Sequence, residues 1–305
     1  MFFIILVITI LQHIYLYIYY NNVDNIPHKK EIFTYDLENV KHELIVYRCG
    51  NLQATNILFI ISGSFNVSFD TYIQKLITML LHIQFIKNNY QIIIVEKMNK
   101  SSIVMYDDIS KYIVSFNETI KVSELTLLGF SSGGVIASHV MALLKSLKCN
   151  KKIITYDTPY QVLNNVLSFE SNLIYRLDLY LYTVVHKTYV NHFNYDKIKD
   201  FVSYDSWTNG ATDFVKMIKQ IHNFTEEDMY FRTGFNFDQE PGTKIINMSC
   251  EYDPLVNKKI SMDYITKNKG DLEIQFDTKL AIGHCSDLIF SDLRIIKYIA
   301  NFETN

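Results

Sequence analysis

The sequence predicts an α/β fold in which a mostly parallel central sheet is flanked by helices. From residue 31 onward, short β-branched runs alternate with helical stretches, which is the order typical of βαβ proteins. Several of these runs are uninterrupted apolar segments, as expected for strands that are covered on both faces. The chain has 305 residues, of which 49% are hydrophobic, so it can bury a large core as one domain.

Eight strands are predicted in order along the chain. An antiparallel pair is expected at residues 31–37 and 42–48, followed by strands at 57–61, 91–96, 125–128, 152–156, 244–249 and 272–276. Apolar residues recur at spacings of three and four between some of these strands, which predicts helices at residues 70–85, 107–116 and 134–147.

Residues 159–242 interrupt this alternation. The interval has no clear buried strand but contains aromatic helical stretches, such as residues 172–190 and 212–222. Because a crossover connection seldom needs so long a segment, we predict an inserted helical cap at 159–242 within a domain spanning 31–305. Ordinary helices that cover the core are the alternative.

The N-terminal segment, residues 1–22, is hydrophobic. Residues 2–20 are almost entirely apolar, with Gln12 and His13 as the clear interruptions, and about 20 such residues can cross a bilayer. No basic residue precedes the run and bulky residues end it, unlike a cleavable signal peptide. An uncleaved anchor and a membrane-associated protein are therefore predicted. A cleaved signal, which would give a secreted protein, and a buried amphipathic element are the alternatives.

The side of the membrane stays open at this point. Lys29 and Lys30 follow the segment and favour a cytosolic catalytic body. Five N-x-S/T sequons favour a secretory compartment instead; they begin at Asn66, Asn99, Asn117, Asn223 and Asn247. Two of them fall in a predicted active-site loop or core strand, where a glycan is difficult to accommodate.

Overall charge argues against a nucleic-acid partner. The formal net charge is -3 and the sequence pI is about 6.3, and the chain has no long stripe of Lys and Arg. Binding to phosphate backbones therefore has little electrostatic support.

A G-x-S-x-G pattern carries the most chemical information. It fits the chain in one register, Gly129-Phe130-Ser131-Ser132-Gly133, between the predicted strand 125–128 and a helical run. A nucleophile on a sharp strand-to-helix turn needs small residues two positions before and after it, because larger side chains would clash. The helix that follows directs its N-terminal N–H groups at the reacting centre. The pattern predicts Ser131 as nucleophile and the Ser132 N–H as an oxyanion donor; a Gly-rich turn that begins a helix is the alternative.

On these residues the chain resembles the α/β-hydrolase family over roughly residues 31–300. The resemblance implies an α/β-hydrolase fold and a Ser, acid, His order along the chain. The strand after the cap leads into Asp253-Pro254-Leu255-Val256, and Asp253 is the matching acid. Of nine histidines only His284 lies beyond it, in the loop that follows the next predicted strand. His284 is thus the expected general base, oriented by Asp253.

Two competing acids are named. Asp157 follows the strand that ends at Tyr156 and also lies between Ser131 and His284, and some family members carry their acid there. Glu251 is the third candidate.

The second oxyanion donor is expected after the strand at 57–61. Many relatives carry His-Gly-x at that place, and this chain has Ser62-Gly63-Ser64-Phe65. Because backbone N–H groups supply the interaction, the Ser64 N–H is the expected donor. This loop and residues 68–72 also bear a weaker resemblance to the lipid-droplet-associated hydrolase branch.

Four widely spaced cysteines form no C-x-x-C pair, so neither a zinc site nor a dense disulfide framework is indicated. We expect mostly buried thiols. Cys250 and Cys285 lie beside the expected acid and base, and a single bridge between them is the alternative.

The resemblance implies a serine hydrolase that cleaves an ester or thioester through an acyl-enzyme, with no cofactor or metal. An apolar, Tyr-rich cap and the hydrophobic N-terminal segment favour a lipid-like substrate. A peptidase or acyltransferase with the same triad, and a non-catalytic binding protein on this scaffold, are the alternatives. A serine at position 131 argues against epoxide hydrolases and dehalogenases, which need Asp there.

Overall fold

A computed structural model describes residues 28–37, 40–63, 71–96, 106–168, 223–253, 255–282, 284 and 294–300. It also describes residues 7, 10, 11, 14, 216, 219 and 220, all helical. Most of the predicted N-terminal anchor and most of the predicted cap lie outside these ranges. Within the described ranges, no helix has both the length and the apolar character that a membrane crossing requires.

Eight strands form one sheet, in the order β1-β2-β4-β3-β5-β6-β7-β8. Strands β1 and β2 are antiparallel, as are β2 and β4, and every other neighbouring pair is parallel. The predicted fold class is confirmed. The strands are β1 (Lys29–Leu37), β2 (Val40–Gly50), β3 (Asn56–Ile61), β4 (Tyr90–Glu96), β5 (Glu124–Phe130), β6 (Asn150–Tyr156), β7 (Lys244–Tyr252) and β8 (Ile274–Ile282).

Most predicted boundaries shift by a few residues, and two elements differ more. The last strand was expected at 272–276 but extends to Ile282, because its pairing with β7 continues through an irregularity between Cys250 and Tyr252. The helix expected at 70–85 is two helices, since Ile83 has an extended backbone (φ -86°, ψ 106°) between them. Apolar spacing alone missed this break because Leu80 and Ile83 keep the three-residue spacing up to it.

Eight helices lie between and after the strands in the described ranges, and each has four turns or fewer. They are α1 (Thr71–His82), α2 (Gln84–Asn89), α3 (Tyr106–Thr119), α4 (Gly133–Leu143), α5 (Val162–Ser168), α6 (Glu226–Thr233), α7 (Lys258–Asn268) and α8 (Arg294–Ala300). Helices α7 and α8 were not predicted, and α5 and α6 lie within the predicted cap but outside the helical stretches named there.

Apolar cores lie on both faces of the sheet. Helices α3, α4 and α7 pack on one face with Phe59 and Leu127, and helices α1 and α8 pack on the other with Leu58 and Leu128. Adjacent strand residues point to opposite faces, so continuous apolar strands supply both cores. This layering confirms the expected flanking of the sheet by helices.

The described ends of the predicted cap belong to the core. Tyr160 is fully buried, and its ring stacks on Phe235 with ring centroids 4.7 Å apart. Both residues join the cluster that lies under α4. Residues 169–215 lie outside the described part of the chain, and the cap stays a prediction there.

Candidate active site

Ser131 lies on a tight turn between β5 and α4. Its φ is +50°, a left-handed conformation that non-glycine residues rarely adopt, and its N–H donates to the Tyr156 carbonyl oxygen at 2.9 Å. A Cβ at Gly129 would come within 2.4 Å of the Gly133 carbonyl oxygen, and one at Gly133 within 2.3 Å of the Ile61 carbonyl oxygen. The two flanking glycines are therefore required by close backbone approach, as the motif predicts.

The loop after β3 approaches the Ser131 side chain. A Cβ at Gly63 would lie 2.8 Å from the Ser131 Cβ and 3.4 Å from its Oγ. Ser64, whose N–H is the predicted second oxyanion donor, follows Gly63 directly but lies outside the described residues. The first predicted donor, Ser132, is buried and precedes the first turn of α4, so its N–H is at the positive end of that helix.

Asp253 and His284 form a hydrogen-bonded pair. The His284 Nδ1 lies 2.8 Å from Asp253 Oδ2, and the Leu255 N–H donates to the other carboxylate oxygen at 2.7 Å. The Asp253 side chain is 2% exposed. With the proton assigned to Nδ1, the ring carries its lone pair on Nε2, as a general base requires.

Asp157 lies beside this pair. Carboxylate oxygens of Asp157 and Asp253 and a ring nitrogen of His284 lie within 4.8 Å of one another. Asp157 is 1% exposed. Its Oδ1 accepts a hydrogen bond from the Cys250 N–H at 2.7 Å. The sequence analysis treated Asp157 as a rival to Asp253 and missed that both carboxylates could lie beside His284. The available signal was that both follow the carboxyl ends of strands, which meet at one edge of a parallel sheet.

Glu251, the third candidate acid, is exposed and pairs with Lys258 at 2.7 Å. Cys250 is buried on β7 next to Asp157. Its suggested partner Cys285 lies outside the described residues, so that pairing stays a prediction.

Two carboxylates and an imidazole could also serve as ligands to a cation. The 2.8 Å contact between His284 Nδ1 and Asp253 Oδ2 has the length of an N–H to carboxylate hydrogen bond. With the proton on Nδ1, that nitrogen has no lone pair for a metal, and Nε2 carries the lone pair of the ring.

A separate cavity of about 1300 Å³ lies between α7 and the amino ends of β7 and β8. Its lining includes Phe235, Tyr264 and Lys244. Ser131, Asp253 and His284 follow the carboxyl ends of their strands, at the opposite edge of the sheet, so this cavity is not part of the candidate site.

Solved structures share the architecture. Est1E from Butyrivibrio proteoclasticus is 15% identical, with a TM-score of 0.52 over 89% of this chain and 96% of that one. The α/β hydrolase GrgF from Penicillium sp. sh18 is 13% identical, with a TM-score of 0.55 over 90% and 97%. Carboxylesterase CesB from Bacillus subtilis is 11% identical, with a TM-score of 0.51 over 96% and 99%. The chain has the α/β-hydrolase fold.

Sequence comparison is less informative. No protein-family model and no curated protein matches this chain. At identities this low, the structural likeness establishes the fold and leaves activity to be argued from the site.

Proposed function

We propose that the protein is a serine hydrolase that cleaves carboxylic esters or thioesters through an acyl-enzyme on Ser131. The observation that carries the proposal is the 2.8 Å hydrogen bond between His284 and Asp253. It lies at the same edge of the sheet as Ser131, which has the strained backbone of a nucleophile turn. Similarity to structures described as carboxylesterases supports the ester class.

In the first half-reaction the Ser131 Oγ attacks the substrate carbonyl carbon while His284 Nε2 accepts the hydroxyl proton. Asp253 stabilises the imidazolium that forms. The N–H groups of Ser132 and Ser64 would hold the oxyanion. The carbon–oxygen or carbon–sulfur bond to the leaving group then breaks, and His284 returns the proton to the departing alcohol or thiol.

In the second half-reaction a water molecule gives its proton to His284 and attacks the acyl carbon. Collapse of this second tetrahedral intermediate releases the carboxylic acid and returns the proton to Ser131 Oγ. The same imidazole relays the proton in both half-reactions, and water is the second substrate.

A lipid-like acyl substrate and membrane association are the finer part of the proposal. They are supported by the apolar run at residues 2–20 and by the many aromatic residues within 159–242. Ester hydrolysis does not depend on either feature.

Covalent labelling tests the nucleophile. We expect a fluorophosphonate probe to label the folded wild type and not Ser131→Ala, because the phosphonylated atom is Ser131 Oγ. Ser123→Ala is the matched control, since Ser123 lies exposed just before the other end of β5 and should keep full labelling. An unlabelled wild type, or labelling of Ser131→Ala equal to that of wild type, would reject the proposal.

Chain-length preference tests the finer part. Turnover of p-nitrophenyl acetate, butyrate, octanoate and palmitate is compared at equal enzyme concentration. A lipid-like substrate predicts that kcat/KM rises at least tenfold from acetate to octanoate, because each buried CH₂ contributes about 0.8 kcal/mol. A preference for acetate would exclude lipid-like acyl chains but would not contradict the proposed esterase activity.

A further inference from the structure

Asp157 is a buried carboxylate with an unusual backbone. It is 1% exposed and has a φ of +46° directly after β6. Burial of an ionised carboxylate is costly unless hydrogen bonds or opposite charges compensate it. A left-handed backbone adds strain, although Asp and Asn tolerate it better than most residues.

One role of Asp157 is evident from its contacts. Its N–H donates to the Met248 carbonyl oxygen at 2.9 Å, and its Oδ1 accepts from the Cys250 N–H at 2.7 Å. The side chain therefore continues the β6–β7 pairing just before β7 becomes irregular. This contact fixes the end of the strand from which Asp253 follows.

A second role follows from its distance to the base. Atoms of both carboxylates and the His284 ring lie within 4.8 Å of one another, so the ring faces two acids. In the described part of the chain, Asp157 faces it from the end of β6 and Asp253 from the end of β7. The nearby Cys250 adds a buried thiol, and Glu251 is paired with Lys258.

We propose that Asp157 is a second acid of the site, a positioning residue that acts through His284. It assists Asp253 in stabilising the imidazolium, and it partly replaces Asp253 when that carboxylate is removed. Two carboxylates this close repel each other when the ring is neutral, and both attract it when it is charged. The proposal rests on the proposed function, because the imidazolium forms when Ser131 gives up its proton.

Asp157→Asn separates the two roles. Asn keeps an Oδ1 that can accept from the Cys250 N–H, and it tolerates a positive φ, so the strand anchor survives. The negative charge is lost. A purely structural Asp157 predicts that this variant behaves as wild type at His284, whereas a second acid predicts a changed titration.

The experiment measures the pKa of the His284 ring by NMR on histidine-labelled protein, with His284→Gln identifying the resonance. We expect Asp157→Asn to lower this pKa by about 1 unit, as expected for removal of an opposite charge within 4–6 Å. Glu251→Gln is the control for loss of a nearby exposed carboxylate and should leave the titration unchanged. An equal pKa in wild type and Asp157→Asn would overturn the proposal.

A second variant decides the matter if Asp157→Asn does not fold. In Asp253→Asn the remaining Asp157 should keep the His284 pKa above its ordinary value of about 6.5. A pKa at or below that value would contradict the proposal.

Kinetics then separates the proposal from the proposed function. With p-nitrophenyl acetate, the acidic limb of kcat/KM should move to lower pH in Asp157→Asn, and Asp253→Asn/Asp157→Asn should be at least tenfold slower than Asp253→Asn alone. Equal rates for the single and double variants would mean that Asp157 gives no assistance. If the wild type shows neither turnover nor probe labelling, the proposed esterase activity is rejected. The NMR titration would still decide whether Asp157 acts on His284.

Discussion

Ser131 is held in a strained backbone by close packing of glycines around it. The left-handed conformation costs roughly 1–2 kcal/mol, and it persists because Gly129 and Gly133 allow β5, α4 and the end of β3 to approach within van der Waals limits. Gly63 extends this packing to the Ser131 side chain. Residue size at these positions therefore controls where the Ser131 hydroxyl points.

Gly63→Ala should damage the site more than the fold. Its new methyl group would lie 2.8 Å from the Ser131 Cβ and 3.2 Å from the Phe130 carbonyl oxygen, so the loop must shift. We expect a loss of about 1–3 kcal/mol in the free energy of unfolding and at least a tenfold fall in kcat/KM for p-nitrophenyl acetate, measured by urea denaturation and steady-state kinetics.

Gly270→Ala is the comparison for that experiment. A Cβ at Gly270 meets no atom within 4 Å, but the φ of +54° is unfavourable for Ala. It should cost about 1 kcal/mol of stability and leave kcat/KM at the wild-type value. Unchanged kcat/KM in Gly63→Ala would show that the loop adjusts without moving Ser131.

At the scale of elements, a buried histidine joins three helices. His139 of α4 is 3% exposed; its ring stacks on Tyr106 of α3 at 4.9 Å and meets the edge of Phe231 of α6 at 5.0 Å. Its Nε2 lies 3.0 Å from the Gly234 carbonyl oxygen, which assigns the proton to that nitrogen. Burial lowers the pKa of His139 to about 4, so the ring is neutral at pH 7.

This histidine should make the fold sensitive to acid. The unfolded state binds a proton near the ordinary pKa of 6.5 and the folded state only near 4. The stabilisation is therefore complete above pH 6.5 and is lost as the pH falls through this window, by about 3 kcal/mol. We expect urea denaturation between pH 7.5 and 4 to give a steeper decline for wild type than for His139→Gln, whose amide can donate to the same carbonyl.

Identical pH dependence in the two proteins would mean that other groups dominate acid denaturation. Asp108 on α3 makes stability depend on pH in the opposite direction, because burial raises the pKa of its carboxyl group to about 6. The contribution of Asp108 to the stability of the fold falls as the pH rises, so it opposes the effect of His139 in the same range. Asp108 is the same in wild type and in His139→Gln.

At the scale of the whole molecule, buried polar contacts connect the last helix to the sheet. Lys152 is 4% exposed, and its Nζ donates to the Tyr298 carbonyl oxygen at 2.7 Å and lies 3.6 Å from Glu124. The Tyr90 hydroxyl donates to the Ile299 carbonyl oxygen at 2.9 Å. These contacts satisfy carbonyl groups at the end of α8 and hold it against the amino ends of β4, β5 and β6.

Lys152→Met should destabilise the fold without altering the chemistry. It leaves Glu124 and the end of α8 without their buried cation, which costs about 3 kcal/mol, while the candidate active site is at the other edge of the sheet. Urea denaturation should show this loss, and kcat of the folded enzyme should stay within twofold of wild type. Lys258→Met removes an exposed ion pair and should cost less than about 1 kcal/mol; an equal loss in both variants would refute the assignment of Lys152 as the anchor.

Local chemistry explains why much of the fold, and the residues of the candidate site, could be predicted. Apolar runs mark strands buried on both faces, such as β3 and β5, and all eight predicted strands lie in the sheet. The glycines around Ser131 reflect a turn that tolerates no larger side chain, and His284 follows from the count of histidines after Asp253. Each of these inferences uses either a pattern within a few residues or the positions of one residue type along the whole sequence.

The tertiary structure decided what depends on distances between strands. Asp157 and Asp253 follow neighbouring strands, and the resemblance favoured Asp253 as the acid. In the structure the Asp253 Oδ2 lies 2.8 Å from His284 Nδ1. The same packing keeps Asp157 buried beside them. The sequence by itself indicated the strands and the glycine-flanked turn at Ser131, because those are local patterns, and the count of histidines indicated the candidate base. That Asp157 lies beside the expected pair of Asp253 and His284 depended on how neighbouring strands are aligned, which no local pattern encodes.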